Sequence, residues 1–490
     1  MTSVRFDLLT EQWLPVTAGD QTLRVGLREL FERAHEFDDL AVPVPPAASG
    51  LWRILYAITA RVTGLDNSDN WVTRQADWLS RGRFDVDKIE AYFEKYRNAF
   101  DLFHPDRPWM QDPRLAVECP KSSKINKLVF DRPAGNTQVW FGHFTDDEPV
   151  PLPTAEAAWY LVAQLYYGAS GRCTSREVRG QKFANTSAGP LRSAMSYHPL
   201  GRNLFESLIL GVPQQRAAND AEDLCPWERN ELPDPLGVPY EATWPGGLLT
   251  AQFRHAVLLV PGEDGRTVVD AYVTWAWRQP PFEVRDPYVI YKVSKQGNPY
   301  QMQADGSRAL WRDVYALLMD HPDSQRPDIV GTAGVHDYEG QQRIRAYGFH
   351  QDGQAKDHQW FAGVTPPILR WLQERDEEAA YGVGDVYKAA ERVGDSLNYV
   401  MWKLWEECNN TEVKSRDKVP WARAALSYYW SHAEEIFWRH LHDRTFDLAS
   451  KAFKELGHEA IDWVMDGKKH LPRIAAGVAT AHRRLGASQK

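Results

Sequence analysis

Apolar residues recur at helical spacing in Leu51, Leu55, Ile58 and Val62, again across 87–100, and on one face of LRELFERAHEF through Leu27, Leu30, Phe31 and Ala34. A stripe that returns every three to four residues has one face to bury, so the pattern predicts helices through most of the first hundred residues. Two short strands are expected before them, at 4–9 and 13–16, giving a mixed start. Between 105 and 153 the periodicity breaks up in HPDRPWMQ, FDRPAGNTQ and TDDEPVPLP, where Pro, Gly, Asn and Asp favour long loops over ladders. A further helix is expected from about 154 to Gly168, where a left-handed glycine would end it. The basic string GASGRCTSREVRGQKFANTSAGP then reads as a loop hung on the helix end.

Period-two and β-branched character appears only later, in TAQFRHAVLLVP and RTVVDAYVTWAW, which are joined by the turn-forming GEDG and predict an antiparallel pair within 248–277. A helix at 308–319 and a strand at 343–349 follow. Past Pro366 and Pro367 the chain turns wholly helical, with amphipathic segments at 376–408, 420–441, 443–457 with an extension to 465, and 472–485. Short polar turns between them favour antiparallel neighbours in an up-down bundle. The fold class expected is α+β: a mixed domain over 1–365 with long loops, then a four-helix bundle over 366–490.

Composition changes this picture little. With 490 residues, 43% hydrophobic and 25% charged, the chain has the make-up of a folded multidomain protein. Cys119, Cys173, Cys225 and Cys408 form no CxxC pair or zinc-ligand cluster, and the start lacks a basic and apolar leader. No apolar run approaches the ~20 residues of a membrane span. A reduced, cytoplasmic protein without metal, cofactor or membrane contact is expected.

Charge says more. A net charge of −9 argues against an indiscriminate nucleic-acid coat, so any such contact must be local. The stretch 168–203 carries Arg172, Arg176, Arg179, Lys182, Arg192 and Arg202 against the single acid Glu177, and Lys121, Lys124 and Lys127 make a smaller run. Each reads either as a solvated basic face or as a nucleic-acid contact.

Catalytic patterns are thin. GASG at 168–171 falls short of a GxSxG nucleophile elbow, and neither a phosphate-binding loop nor a GxGxxG opening is present. The pairs His336-Asp337 and His442-Asp443 leave a metal-dependent phosphohydrolase as the alternative reading. The string HLHD at 440–443, however, ends a predicted helix, where histidines favour the dipole. A loop-rich body with basic loops and a charge-balanced helical tail suits a binding subunit better than an enzyme.

Four strings bring the chain close to one family: LTEQWLPV at 9–16, LFHPDRPWMQ at 102–111, KLVFDRPAGN at 127–136 and AGPLRS at 188–193. Together they resemble the CasA family, the large subunit of the type I-E CRISPR Cascade surveillance complex, over essentially the whole chain. The resemblance implies a non-catalytic subunit that recognises a protospacer-adjacent motif on double-stranded DNA, helps start strand separation (the R-loop) and recruits a helicase-nuclease. Its partners would be other Cascade subunits and the guide RNA, which reads the target by base pairing.

Individual residues follow from the same resemblance. DGQAK is similar to the family's glutamine wedge, giving Gln354 with Gly353 and Ala355 as flanks. Gly168, Ala169, Ser170 and Gly171 correspond to its glycine-rich minor-groove loop, with Gly180 and Gly189 as alternative positions, and Arg172 and Arg176 beside it for phosphate or groove contact. The family's minor-groove lysine falls on TWAWRQPPFEVRDP, which has no lysine; Arg278 or Arg285 stands in for it. Phe130 anchors the counterpart of a mobile loop over 131–143, including Asp131, Arg132 and Asn136, that packs in the family against the guide-bearing part. Cysteines that some relatives carry in and beyond this loop are absent, so no metal is expected there. On the bundle, Lys468, Lys469, Arg473, Arg483 and Arg484 form either a nucleic-acid or subunit contact or a solvated face.

Overall fold

The computed structural model describes residues 4–67, 69–134, 143–215, 221–280, 282, 284–319, 321–333, 342–353, 356–368, 377–468 and 470–487. The chain divides into two compact units, 1–307 with 321–370 and 308–320 with 371–490.

In chain order the elements begin with β1 (Leu14–Ala18), β2 (Gln21–Val25), α1 (Leu27–Glu32), β3 (Asp39–Leu40), α2 (Pro45–Thr63), α3 (Trp71–Arg81) and α4 (Val86–Lys95). Next come α5 (Leu115–Glu118), α6 (Ile125–Leu128), β4 (Leu152–Pro153), α7 (Thr154–Tyr167), β5 (Gly171–Val178), β6 (Gln181–Thr186), β7 (Ser196–Leu200), α8 (Leu204–Leu210) and α9 (Gly246–Thr250). The first unit continues with β8 (His255–Pro261), β9 (Thr267–Trp275), β10 (Tyr291–Val293) and β11 (Pro299–Gln301). After α10 (Val314–Leu318), which belongs to the second unit, β12 (Ser324–Gln325), α11 (Asp328–Ala333), β13 (Arg343–Asp352) and β14 (Lys356–Val364) close it. The expected strand at 4–9 is replaced by a turn and a single bridge from Asp7 to Asp101.

Helix α2 packs against α7, α8 and the strands β13 and β14, among small antiparallel sheets. Their strand orders are β2-β1-β3, β4-β9-β8, β14-β13-β7 and β11-β10-β12, with β5-β6 as a two-stranded ribbon. The expected antiparallel pair is β8 with β9, in register from His255 opposite Trp275 to Val260 opposite Asp270. Helix α2 opens with prolines, closes at Gly64 with φ 71°, and is buried on nearly every side. Gly50 lets α7 lie close, since a Cβ there would come within 2.5 Å of Val162. Arg53 on the same helix is buried, and its guanidinium is held by Asp286 at 2.7 and 3.1 Å and by the Ser196 hydroxyl at 3.1 Å. Tyr56 stacks with Tyr288 at 5.5 Å, and His198 stacks with Tyr288 at 5.0 Å. The core of this unit is therefore aromatic, as 20 Trp, 20 Tyr and 19 Phe allow.

The second unit is the C-terminal four-helix bundle: α12 (Glu377–Asn409), α13 (Pro420–His442), α14 (Phe446–Met465) and α15 (Pro472–Ala487). Buried Ala422, Ala425, Tyr429, Ala433 and Phe437 line one face of α13, and Ala449, Phe453, Leu456, Ala460 and Val464 one face of α14. The short segment at 308–320 joins them through Trp311, 4.7 Å from Phe437, and through Arg312, which pairs with Glu391 at 2.7 Å and covers the Trp430 ring at 3.7 Å.

Candidate nucleic-acid interface

Helix α7 does not end in the left-handed conformation expected of it. Gly168 has φ −53° and ψ 140°, and its need for glycine is steric: a Cβ would lie 2.5 Å from the His255 ring and 2.6 Å from the Gln164 carbonyl. The turn that follows is tied at two points, where Gly189 N–H donates to the Gly168 carbonyl at 2.9 Å and His255 Nε2 donates to the Ala169 carbonyl at 3.1 Å. Ala169 and Ser170 are half-buried, whereas Gly171 is exposed at φ +116° with open space where a Cβ would project. Here glycine is required by conformation alone, which leaves the outer side of the turn free for another backbone to approach.

His255 is a support that sequence reading missed. Because a carbonyl only accepts, the proton sits on Nε2, and burial pushes the imidazole pKa down to about 4 from the ordinary 6.5. The folded state therefore refuses a proton that the unfolded chain accepts below about 6.5. Stability is full above that pH and falls as pH drops toward 4, by roughly 1.4 kcal/mol per unit from this group. Urea melts should show the stability gap between wild type and His255→Asn narrowing by about 2 kcal/mol from pH 7 to pH 5; an unchanged gap would mean that His255 is protonated in the fold.

The basic stretch is a β-ribbon and not a loop. β5 and β6 pair from Gly171 opposite Thr186 to Val178 opposite Gln181, and the two-residue connection Arg179-Gly180 has φ 50° and 77°, as a type I′ turn demands. The ribbon sorts the six cations. Arg176 points inward and is fully buried, paired with Asp112 at 2.7 Å and Glu118 at 2.6 Å and lying over Trp275 at 5.2 Å. It is withdrawn as a DNA contact because no part of it faces solvent. Burial alone would raise the Asp112 pKa, but hydrogen bonds from Arg114 and the charge of Arg176 hold it below the usual carboxylate value. Arg192 is also buried, and Arg179 and Arg202 pair with Asp234 and Glu206. Arg172 and Lys182 remain exposed with no ion pair among the described residues.

Arg278 comes to the same ribbon. Its guanidinium covers Phe183 at 4.0 Å and Trp275 at 5.4 Å and donates to the Asn185 carbonyl at 3.2 Å, directly across the ribbon from Arg172. Arg285 does not join them; it lies over Tyr291 at 4.8 Å and reaches Asp328 at 3.5 Å and Gln325. Gly171, Arg172 and Arg278 thus gather at the base of one hairpin.

A second hairpin, β13 with β14, pairs from Arg345 opposite Val364 to Asp352 opposite Lys356, with a bulge at His350 and Gln351. Gly353 begins its connection, exposed at φ +57°. Gln354 and Ala355 lie outside the described residues. The flank of this hairpin carries Phe349 stacked on Trp360 at 4.0 Å, and Phe130 meets both edge-on, at 6.2 and 5.3 Å. Buried Arg192 joins the two hairpin regions: it donates to the Tyr167 carbonyl at 2.9 Å, binds Asp357 on β14, and covers Phe349 at 4.4 Å. Its role was not legible in the run of cations that contains it.

Phe130 is half-buried in this aromatic group, Asp131 is exposed, and Arg132 covers Phe144 at 4.2 Å and donates to the Val150 carbonyl at 2.6 Å. Asn136 lies outside the described residues. On the bundle, Arg484 pairs with Glu407 at 2.8 Å and Arg473 donates to the Glu407 carbonyl, while Lys468 caps the Val464 carbonyl at 2.7 Å and Arg483 is exposed. Lys469 is outside the described residues, as are His336 and Asp337. His442 and Asp443 are exposed and bonded to each other at 3.0 Å, and His440 donates or accepts at Thr445 beside the helix end. Among the described residues no three His, Cys, Asp or Glu side chains group closely enough to hold a metal ion, and no helix is long and apolar enough to cross a membrane.

The fold is an α+β body with a C-terminal four-helix bundle, and Arg172 and Arg278 lie exposed beside its glycine turn. The model of the CRISPR-associated protein Cse1 family matches residues 7–463, and the chain belongs to that family. It is 25% identical to the CasA/Cse1 protein of Thermus thermophilus, over 98% of this chain and 97% of that one. Among solved structures it is similar to a chain of a CRISPR RNA-guided surveillance complex at 43% identity and a TM-score of 0.90, covering 99% of this chain and 100% of that one. Thermobifida fusca Cse1 shares the fold at 19% identity and a TM-score of 0.79, over 99% and 97%.

Proposed function

We propose that this protein is the non-catalytic DNA-recognition subunit of an RNA-guided CRISPR surveillance complex. It reads the protospacer-adjacent motif on duplex DNA, helps to open the strands beside it, and recruits the helicase-nuclease. The observation that carries the reading is the full-length likeness, at 43% identity, to a chain of a surveillance complex. The geometry supports it: an open glycine turn beside Arg172 and Arg278 suits a minor groove, whose degenerate pattern permits tolerance of several motifs. A guanidinium in place of lysine reaches acceptors in a fixed fork, so the preferred motif is expected to differ from that of relatives with lysine. Gln354, at the connection that Gly353 begins, serves as the wedge, and Phe130 with 131–143 faces the guide-bearing subunits.

The guide-loaded complex lacking this chain should bind target duplex weakly. Adding the chain should strengthen binding beside a permissive motif and not beside a scrambled one. Equal strengthening of both would make it a general clamp, and no change would reject the reading.

A further inference from the structure

Arg254 precedes His255 at the start of β8, and its surroundings are fixed by backbone bonds. Its carbonyl accepts from Ala276 N–H at 2.9 Å and from the Thr186 hydroxyl at 3.2 Å, while the next residue holds the Ala169 carbonyl. It therefore sits where the glycine turn, the end of the β5–β6 ribbon and the start of β8 converge. The residue is only 8% exposed and its guanidinium nitrogens keep a narrow opening to solvent, yet the guanidinium has no ion pair, hydrogen bond or ring contact among the described residues.

That is unusual company for a buried charge. Arg53, Arg61, Arg176, Arg192 and Arg345 are each sunk into this same unit, and each meets a carboxylate. A recessed guanidinium that has lost most of its hydration and gained no carboxylate is poised to take an anion through that opening. Burial without compensation also pulls the Arg254 pKa down to about 10. Arg172 and Arg278, at the same end of the ribbon, add positive charge and no relief.

We propose that Arg254 is a recessed phosphate site, filled by one backbone phosphate of the nucleic acid that approaches the glycine turn. The fork geometry of a guanidinium suits two oxygens of one phosphate. This deepens the duplex-recognition reading and rests on it for the identity of the polymer, although the phosphate chemistry stands on the protein alone.

The experiment uses the full-length chain and the reassembled complex with Arg254→Met and Arg254→Lys. Removing an uncompensated buried charge should leave the melting temperature of the free chain unchanged or higher, which a structural arginine would not do. In the complex, Arg254→Met should weaken duplex binding roughly tenfold or more and lower the salt-dependence slope by about 0.9. Arg254→Lys should keep the slope and lose part of the affinity. In the isolated chain, inorganic phosphate should raise the melting temperature of wild type more than that of Arg254→Met at matched ionic strength. A destabilised Met variant with an unchanged slope would overturn the proposal, as would failure of the Met variant to enter the complex, which would assign Arg254 to a partner's carboxylate. If wild type itself gains no duplex affinity in the complex, the DNA reading fails; the phosphate melts then decide the site alone, equal shifts in the two proteins overturning it.

Discussion

Gln354→Ala is expected to weaken binding of the complex to intact target duplex by roughly 100-fold, while binding to a target with unpaired bases beside the motif stays near wild type. The asymmetry follows from what a wedge does. Parting a base step costs a few kcal/mol, and an inserted side chain offsets it by occupying the gap. A target melted in advance has already met that cost. On the proposed reading the hairpin base beside Gln354 would resist recoil: Asp352 lies opposite Lys356, Phe349 stacks on Trp360, and Arg192 ties Asp357 to the end of α7. Equal loss on both targets would reject the wedge.

The second large effect concerns stability. Arg176→Ala should cost about 3–5 kcal/mol, because Glu118 would lose its cation beside Asp112, which would keep only Arg114, and the space the buried guanidinium fills over Trp275 would be left empty. The measurement is a urea or thermal melt of the isolated chain, and a change below about 1 kcal/mol would contradict the buried triad. Arg172→Ala, four residues earlier and exposed, should leave the melt unchanged but reduce the salt slope of duplex binding by about 0.9. Two arginines indistinguishable in a charge count thus separate into one buried in ion pairs and one exposed to solvent.

Why they looked alike is instructive. The helices were legible because their periodicity is long and strong: α2, α7 and the four bundle helices fall close to the expected spans, as do the hairpin strands β8 and β9. The β5–β6 ribbon was not, because its turn is Arg179-Gly180 in place of an Asn-Gly signal, and Arg, Ser and Glu along GRCTSREV mask the alternation that buries Arg176 and Val178. A buried arginine imitates a surface one in any sequence count, and only its partners, 64 and 58 residues away at Asp112 and Glu118, reveal the difference. Likewise, Gly168 and Gly171 read as one glycine-rich loop, whereas one is demanded by His255 and the other by its own φ. Phe130 and Gly353 could be singled out by resemblance alone; no local pattern announced the aromatic group or the paired strands that seat them.

The bond network of Arg192 has a consequence for length measurement. One guanidinium touches the residue before the glycine turn and the strand after the β13–β14 connection, so the separation of these two elements is set inside the protein. On the proposed reading the subunit then acts as a caliper with a locked jaw. The number of base steps between the place where the groove is felt and the place where the strands part is a property of the fold, and changing the motif read at one jaw would leave the opening point where it was.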